Sequence, residues 1–281
     1  MTKQVNRSYP KQADRSVMEE MMTLATDAER GGGVAHKEIC SPIVDLRQYT
    51  LYPGTRDSFV ELFDKEFVET QEAVGIRMIG QFRDLGDPNR FVWLRGYPDM
   101  PSREKALTAF YVHSAAWRTH AEAARSHMID SSDVLLLRPA YPHSSFELDA
   151  PERRPPLESP LPHGLVVATI YPLPVPMRPE FLSFFAEVVS PVLMDAGASM
   201  LGQFATEDSP NNFPRLPIRE SEAVFITFAA FKDLPSYHSY MTALGRNARW
   251  RGEIYPSLVK QLQGRPQILR LAPTSRSRLH A

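Results

Sequence analysis

GIRMIGQF, residues 75–82, is followed at 197–204 by GASMLGQF. Gly, Met, Gly, Gln and Phe recur in register at an offset of 122, while the residues that follow them diverge at once. Outward from the first motif, IVDLRQYTL (43–51) reads as a strand that ends at the Pro53-Gly54 turn. RDSFVELFDKEFVETQEAVG places Phe59, Leu62, Phe63, Phe67 and Val74 along one helix face. Gly75 suits the position just past the end of that helix. IRMIGQFRD and RFVWLRGY read as strands joined by the turn-rich LGDPN. A helical region then runs from about Ser102 to Met128 with a break near Val112, and DVLLLRPA closes the unit as a strand. The order β-α-β-β-α-β is the ferredoxin-like arrangement.

The same order recurs in LVVATIYPL (165–173), PEFLSFFAEVVSPVLMDAG, the second motif, AVFITFAAFKD, a helical region from about Pro235 to Gln261, and QILRLAP. Phe181 and Phe185 match Phe59 and Phe63 at the offset of 122, whereas Asp233 matches Asp99 and Pro273 matches Pro139 at 134. The second copy has therefore gained 12 residues, within ATEDSPNNFPRLPIRES (205–221), read as an insertion in a surface loop. A repeat that holds register on both sides of one insertion points to duplication. Each ferredoxin-like sheet carries helices on one face and must cover the other. The expected fold is α+β: tandem ferredoxin-like repeats forming a dimeric-type α/β barrel within one chain. Pairing of each copy with another chain is the alternative. The expected organisation is an arm at 1–40 with one short helix in SVMEEMMTLATDAER, a first domain at 41–140, a proline-rich linker at 141–163 and a degenerate second domain at 164–281.

The formal net charge of −1, with Lys and Arg scattered, excludes the basic footprint of a nucleic-acid binder. No apolar run approaches the roughly 18 residues of a membrane span. The opening MTKQVNRSYPKQADRS is polar, without the apolar core of a secretory signal. Cys40 is the only cysteine. A soluble cytoplasmic protein with a sizeable core is expected.

Alternation puts Asp45, Arg47 and Tyr49 on one face of the first strand, and Phe91, Trp93, Arg95 and Tyr97 on one face of the third. Ionised groups inside strands are costly unless paired or wet. Either Asp45 or a helix carboxylate pairs with an arginine for structural reasons, or Arg47, Tyr49, Gln81, Trp93 and Arg95 line a small-molecule pocket between sheet and helices. In the second copy Asp45, Arg47 and Tyr49 become Val167, Thr169 and Tyr171, and Trp93 and Arg95 become Thr227 and Ala229. The skeleton survives without the charges, which favours a single polar site in the first copy. The second helical region adds His113, Trp117, His120 and His127. Residues seven apart on a helix are separated by about 10 Å along its axis, so one metal cannot use all three histidines, and no cluster has zinc spacing. A histidine here is either a hydrogen-bonded wall residue or, for His120, a general acid or base near neutral pH. Met78, Met128, Met194, Met200 and Met241 sit in apolar patterns and read as core filler. No phosphate loop, dinucleotide fingerprint or nucleophile elbow is present.

VDLRQYTLYPG, GIRMIGQFRDLGDPNRFVWLRGYPDM, W-R-T-H and DVLLLRPA, in that order over about 43–140, resemble the NIPSNAP domain. The second copy, about 165–273, resembles it only through GQF and the strand pattern. The resemblance implies the dimeric α/β-barrel superfamily, which also holds cofactor-free antibiotic-biosynthesis monooxygenases, EthD-like proteins and haem-binding chlorite-dismutase-like enzymes. It carries no catalytic signature, and a fold alone fixes no chemistry. The expectation is an enzyme of specialised metabolism that oxygenates, cyclises, dehydrates or rearranges an aromatic or polyketide-like substrate without a cofactor. Arg47 and Arg95 would hold an anionic or enolate oxygen and His120 would move a proton. Tyr49, Gln81, Trp93, Trp117 and His113 would contact the substrate. The alternatives are a non-catalytic binding or scaffold protein, and a haem protein with His120 or His113 as axial ligand. A homodimer is the further partner expected.

Overall fold

The structure, a computed structural model, describes residues 38–39, 41–148, 161 and 163–281. The amphipathic stretch expected at 16–30, and most of the proline-rich segment, lie outside the described residues. In chain order the first copy comprises β1 (Ile43–Leu51), α1 (Arg56–Glu66), α2 (Val68–Glu72), β2 (Arg77–Asp84), β3 (Arg90–Tyr97), α3 (Met100–Thr108), α4 (Ala115–Ser126) and β4 (Met128–Pro139). The second comprises β5 (Leu165–Leu173), α5 (Pro179–Phe184), α6 (Ser190–Asp195), β6 (Ser199–Thr206), β7 (Ala223–Phe231), α7 (Leu234–Arg246), α8 (Tyr255–Val259) and β8 (Gln267–Pro273). The helix expected over 56–75 breaks at Phe67, and the one over 102–128 breaks at Ser114, whose hydroxyl accepts from the Trp117 N–H. Asp99 and Asp233 recur because each caps a helix: their carboxylates accept from Ser102 N and Ser236 N, both at 2.7 Å.

Eight strands close into one barrel in the order β8-β2-β3-β1-β4-β6-β7-β5, with β5 returning to β8. The barrel therefore closes within one chain. Each copy supplies four consecutive antiparallel strands, and two seams join them: Pro139 of β4 lies opposite Phe204 of β6, and Pro273 of β8 opposite Phe82 of β2. Just past each proline the chain donates again across the seam, Ala140 N to Gln203 O at 2.9 Å and Thr274 N to Gln81 O at 2.8 Å. The repeated GQF is thus the place where one copy is stitched to the other.

Both glycines of the repeated motif have a physical reason. Gly75 and Gly197 follow helices with φ of 90° and 114°, the left-handed region that a Cβ disfavours. Gly80 and Gly202 sit at matching register shifts in β2 and β6. A Cβ on Gly80 would lie 2.6 Å from the ring of Phe82, and one on Gly202 2.8 Å from the ring of Phe204. Each glycine makes room for the phenylalanine two residues later to turn into the barrel.

The barrel interior is apolar, built from Val44, Leu46, Val92 and Leu94 of the first copy and Val166, Ala168, Ile226 and Phe228 of the second. Phe146 and Leu279, from the segments that follow the two closing strands, complete it. Residues 141–148 are accordingly part of the body rather than of a linker, and Glu147–Leu148 pairs antiparallel with Glu38–Ile39. The signal was Phe146 and Leu148, two buried apolar residues among prolines. Two further apolar clusters lie on the outer faces, one between the sheet and helices of each copy. Among the described residues, no helix is long and apolar enough to cross a membrane.

Candidate functional site

On the outer face of the first sheet, β1 and β3 bring Asp45, Arg47, Trp93 and Arg95 side by side, since Asp45 pairs with Arg95 and Arg47 with Trp93 across the ladder. Asp45 is fully buried and bridges three arginines: Arg95 Nε at 2.8 Å, Arg103 Nε at 3.1 Å and Arg47 Nη1 at 3.9 Å. The Tyr97 hydroxyl donates to the same carboxylate at 3.3 Å. Burial alone would push Asp45 up, but the guanidiniums of Arg95, Arg103 and Arg47 outweigh it and hold the carboxyl at about 2. The structural pairing anticipated for Asp45 is therefore present, yet it does not balance. Among the described residues, three buried guanidiniums face one carboxylate, and Arg95 and Arg103 each keep a buried Nη2 with no hydrogen-bond partner.

The surplus is directed at two phenols. Arg47 Nε donates to the Tyr49 hydroxyl at 3.1 Å, and Arg95 Nη1 donates to the Tyr111 hydroxyl at 3.1 Å and to Gln71 Oε1 at 3.2 Å. Both guanidiniums also lie against the indole of Trp93, with Arg47 Cζ at 5.5 Å and Arg95 Cζ at 4.9 Å from the ring centroid. Tyr49, Tyr111, Gln71 and Trp93 form the polar part of a cavity of about 270 Å³ between sheet and helices, whose remaining wall is largely aromatic, including Phe59, Phe63, Phe67, Phe110 and Trp117. Burial pushes the Tyr49 hydroxyl up, with Arg47 opposing, so it keeps its proton at neutral pH. The exposed Arg125 and Arg215 line the cavity as well. Among the described lining residues there is no carboxylate and no imidazole.

The insertion of the second copy reaches this site. Phe213, Arg215, Leu216 and Pro217 line the first copy's cavity, and the Phe213 ring lies 6.2 Å from that of Tyr111. Arg103 Nη1 donates to Asn211 Oδ1 at 3.2 Å and Asn212 Oδ1 at 2.8 Å, while the Asn212 amide donates to the Met100 carbonyl. The segment expected to be a surface loop is thus a cover, held down because Phe213 and Leu216 find apolar partners in the other copy.

Of the residues expected at the site, Arg47, Tyr49, Trp93, Arg95 and Trp117 do come together, with the two arginines one layer behind the wall. Gln81 is buried but does not line the cavity, and its side-chain amide has no hydrogen-bond partner among the described residues. Its counterpart Gln203 donates to Ser190 Oγ at 2.8 Å, a position that holds Val68 in the first copy. His120 sits on the outside, its Nε2 3.3 Å from Glu66 Oε2, and His113 is exposed. Neither is among the described residues that line the first or the second copy's cavity, so neither stands where the expected axial ligand of a haem would. Among the described residues no group of three or more His, Cys, Asp or Glu could hold a metal ion. Arg103 was not anticipated. Its signal is an arginine in line with Ala106, Leu107 and Phe110 on the buried side of the α3 region.

A family model for NIPSNAP matches residues 44–142. A NIPSNAP-like domain protein from Burkholderia xenovorans is 27% identical over 39% of this chain and 96% of its own, with a TM-score of 0.34. Other solved structures span both copies. An anthrone oxidase-like protein is 12% identical over 85% of this chain and 95% of its own, at a TM-score of 0.55. A candidate monooxygenase from Lactobacillus acidophilus is 10% identical over 85% and 98%, at 0.51. At such identities the likeness is one of fold, the eight-stranded α/β barrel. No curated protein matches the chain. The first copy, residues 44–142, is a NIPSNAP domain, joined in one chain to a second copy of the same topology.

Proposed function

We propose that the first copy's cavity binds a small aromatic molecule as its enolate or phenolate anion, and that the protein oxygenates it without a cofactor. The observation that carries this reading is the three-to-one excess of buried guanidinium over carboxylate behind an aromatic wall. Uncompensated buried charge is costly, and an anion in the cavity offsets it. Tyr49 and Tyr111, each accepting from an arginine, can donate their own protons to a ligand oxygen. Donors fixed before the reaction stabilise a developing oxyanion more than water does. An enolate held in this way can react directly with dioxygen. For a methylene between two aryl rings that are conjugated to a ketone carbonyl, as in anthrone, CH₂ and O₂ give C=O and H₂O. Since no base lines the described wall, the substrate must be acidic enough to enter ionised.

Anthrone is a suitable test substrate, given the name of one protein of like fold. Dioxygen uptake should be saturable, and Tyr111→Phe should lower it about 10²-fold. 2-Naphthoate should bind at least tenfold more tightly than naphthalene. The missing base favours a second reading, a protein that binds such an anion without turning it over. Anion binding with no dioxygen uptake would select that reading, and no preference for the anion would overturn both.

A further inference from the structure

We propose that the second copy holds a separate binding site for a neutral, mostly apolar, ring-containing molecule, in the cavity between its sheet and helices α7 and α8. The positions that fill this space in the first copy are emptied here. Asp45 and Arg47 correspond to Val167 and Thr169, Trp93 and Arg95 to Thr227 and Ala229, and Arg103 to Tyr237. All five of these second-copy residues line one cavity of about 650 Å³, against about 270 Å³ in the first copy. Protein interiors are ordinarily close-packed. A space of this size, bounded by sheet and helices and open to the surface, lies within the range of small-molecule sites.

The lining sets the chemistry of the ligand. Its polar atoms are mostly hydroxyls: Thr169, Thr227 and the phenols of Tyr171, Tyr237, Tyr240 and Tyr255. Burial pushes Tyr171 up to about 12 and Tyr240 up as well, so these two phenols are uncharged at neutral pH. Arg265, exposed, is the only charged residue among the described lining. The surplus positive charge that characterises the first site is absent, so an anion has no reason to prefer this one. Hydroxyls and rings suit a ligand with a few carbonyl or hydroxyl oxygens on an otherwise apolar frame. The mouth agrees with this. Met241, Tyr255 and Ile268 line the cavity yet are 44%, 46% and 48% exposed. An apolar rim around an apolar cavity marks a binding surface rather than scattered exposure.

The experiment uses the full chain and 1-aminoanthracene, an uncharged fluorescent tricycle. The expected result is a saturable, blue-shifted rise in emission that an excess of 2-naphthoate does not reverse. Thr227→Trp installs the residue that the first copy holds at this place and should weaken binding at least tenfold. Gly245→Leu provides a second arm less exposed to misfolding. Gly245 lines the cavity in α7, and an added Cβ there meets no atom within 4 Å. It should weaken the probe at least threefold without lowering the melting temperature. Absence of saturable binding to the wild type would overturn the proposal. So would unchanged affinity in both folded variants, or displacement of the probe by 2-naphthoate, which would assign it to the first cavity. Because the two sites are read by different probes, failure here leaves the reading of the first copy intact, and the reverse holds too.

Discussion

Under the helices of the first copy lie Asp45, Arg47, Trp93, Arg95 and Arg103, and at the same places in the second copy lie Val167, Thr169, Thr227, Ala229 and Tyr237. Around them the helix caps, the register shifts, the glycines and the seams correspond. One frame thus supports both a charged filling and a hollow. The charged cluster is not what builds the fold, since the fold is built again without it.

The sharpest way to break this comparison is to remove the one carboxylate. Asp45→Asn leaves three buried guanidiniums unopposed and should cost about 3–5 kcal/mol in denaturant unfolding. Replacing the whole set at once, Asp45→Val with Arg47→Thr, Arg95→Ala and Arg103→Tyr, should cost less than that single change, because it recreates the arrangement of the second copy. A quadruple variant less stable than Asp45→Asn would mean that the cluster is structural after all. Acid gives a second view. The Asp45 carboxyl lies at about 2 rather than 3.8, so its stabilisation is in place above pH 4 and is lost as pH falls towards 2. That amounts to about 2 kcal/mol. Unfolding curves collected from pH 5 to pH 2 should show this slope in the wild type and lose it in Asp45→Asn.

Smaller effects sharpen the comparison. Gly80→Ala and Gly202→Ala each drive a methyl against a phenylalanine ring and should each cost about 1–3 kcal/mol. Similar thermal shifts in the two variants would confirm that the seams are equivalent. Phe213→Ala uncovers the first cavity and should weaken 2-naphthoate about tenfold while leaving 1-aminoanthracene untouched. His120→Ala breaks a half-exposed pair with Glu66, so stability should move by less than about 0.5 kcal/mol and 2-naphthoate affinity by less than twofold.

Much of this could be read along the chain. Strict alternation in IVDLRQYTL and RFVWLRGY separated the residues facing the barrel, Val44 and Leu46, from Asp45 and Arg47 facing the helices. The repeat gave the barrel, because its offsets are preserved by caps and turns that are local in the chain. Contacts that depend on how distant segments meet were not legible. The role of Arg103 depends on Asp45, 58 residues earlier, lying 3.1 Å from its Nε. Nor does the spacing of His113 and His120 tell that His120 meets Glu66 rather than the described cavity wall. The hollow in the second copy was the hardest to see: small residues in place of large ones read as loss of a site, and only the volume they leave shows a gain.

The cover over the first cavity has a consequence for inheritance. Arg103 is held by Asn211, 108 positions along the chain and in the other copy. A stretch of the second copy thus roofs the cavity of the first. The two halves are therefore no longer exchangeable modules. A recombination that swapped the second half for that of a relative with a shorter loop would keep the barrel and lose the roof of the first site. A substitution at Asn211, Asn212 or Phe213 can therefore alter the first cavity while leaving every residue of the first copy unchanged.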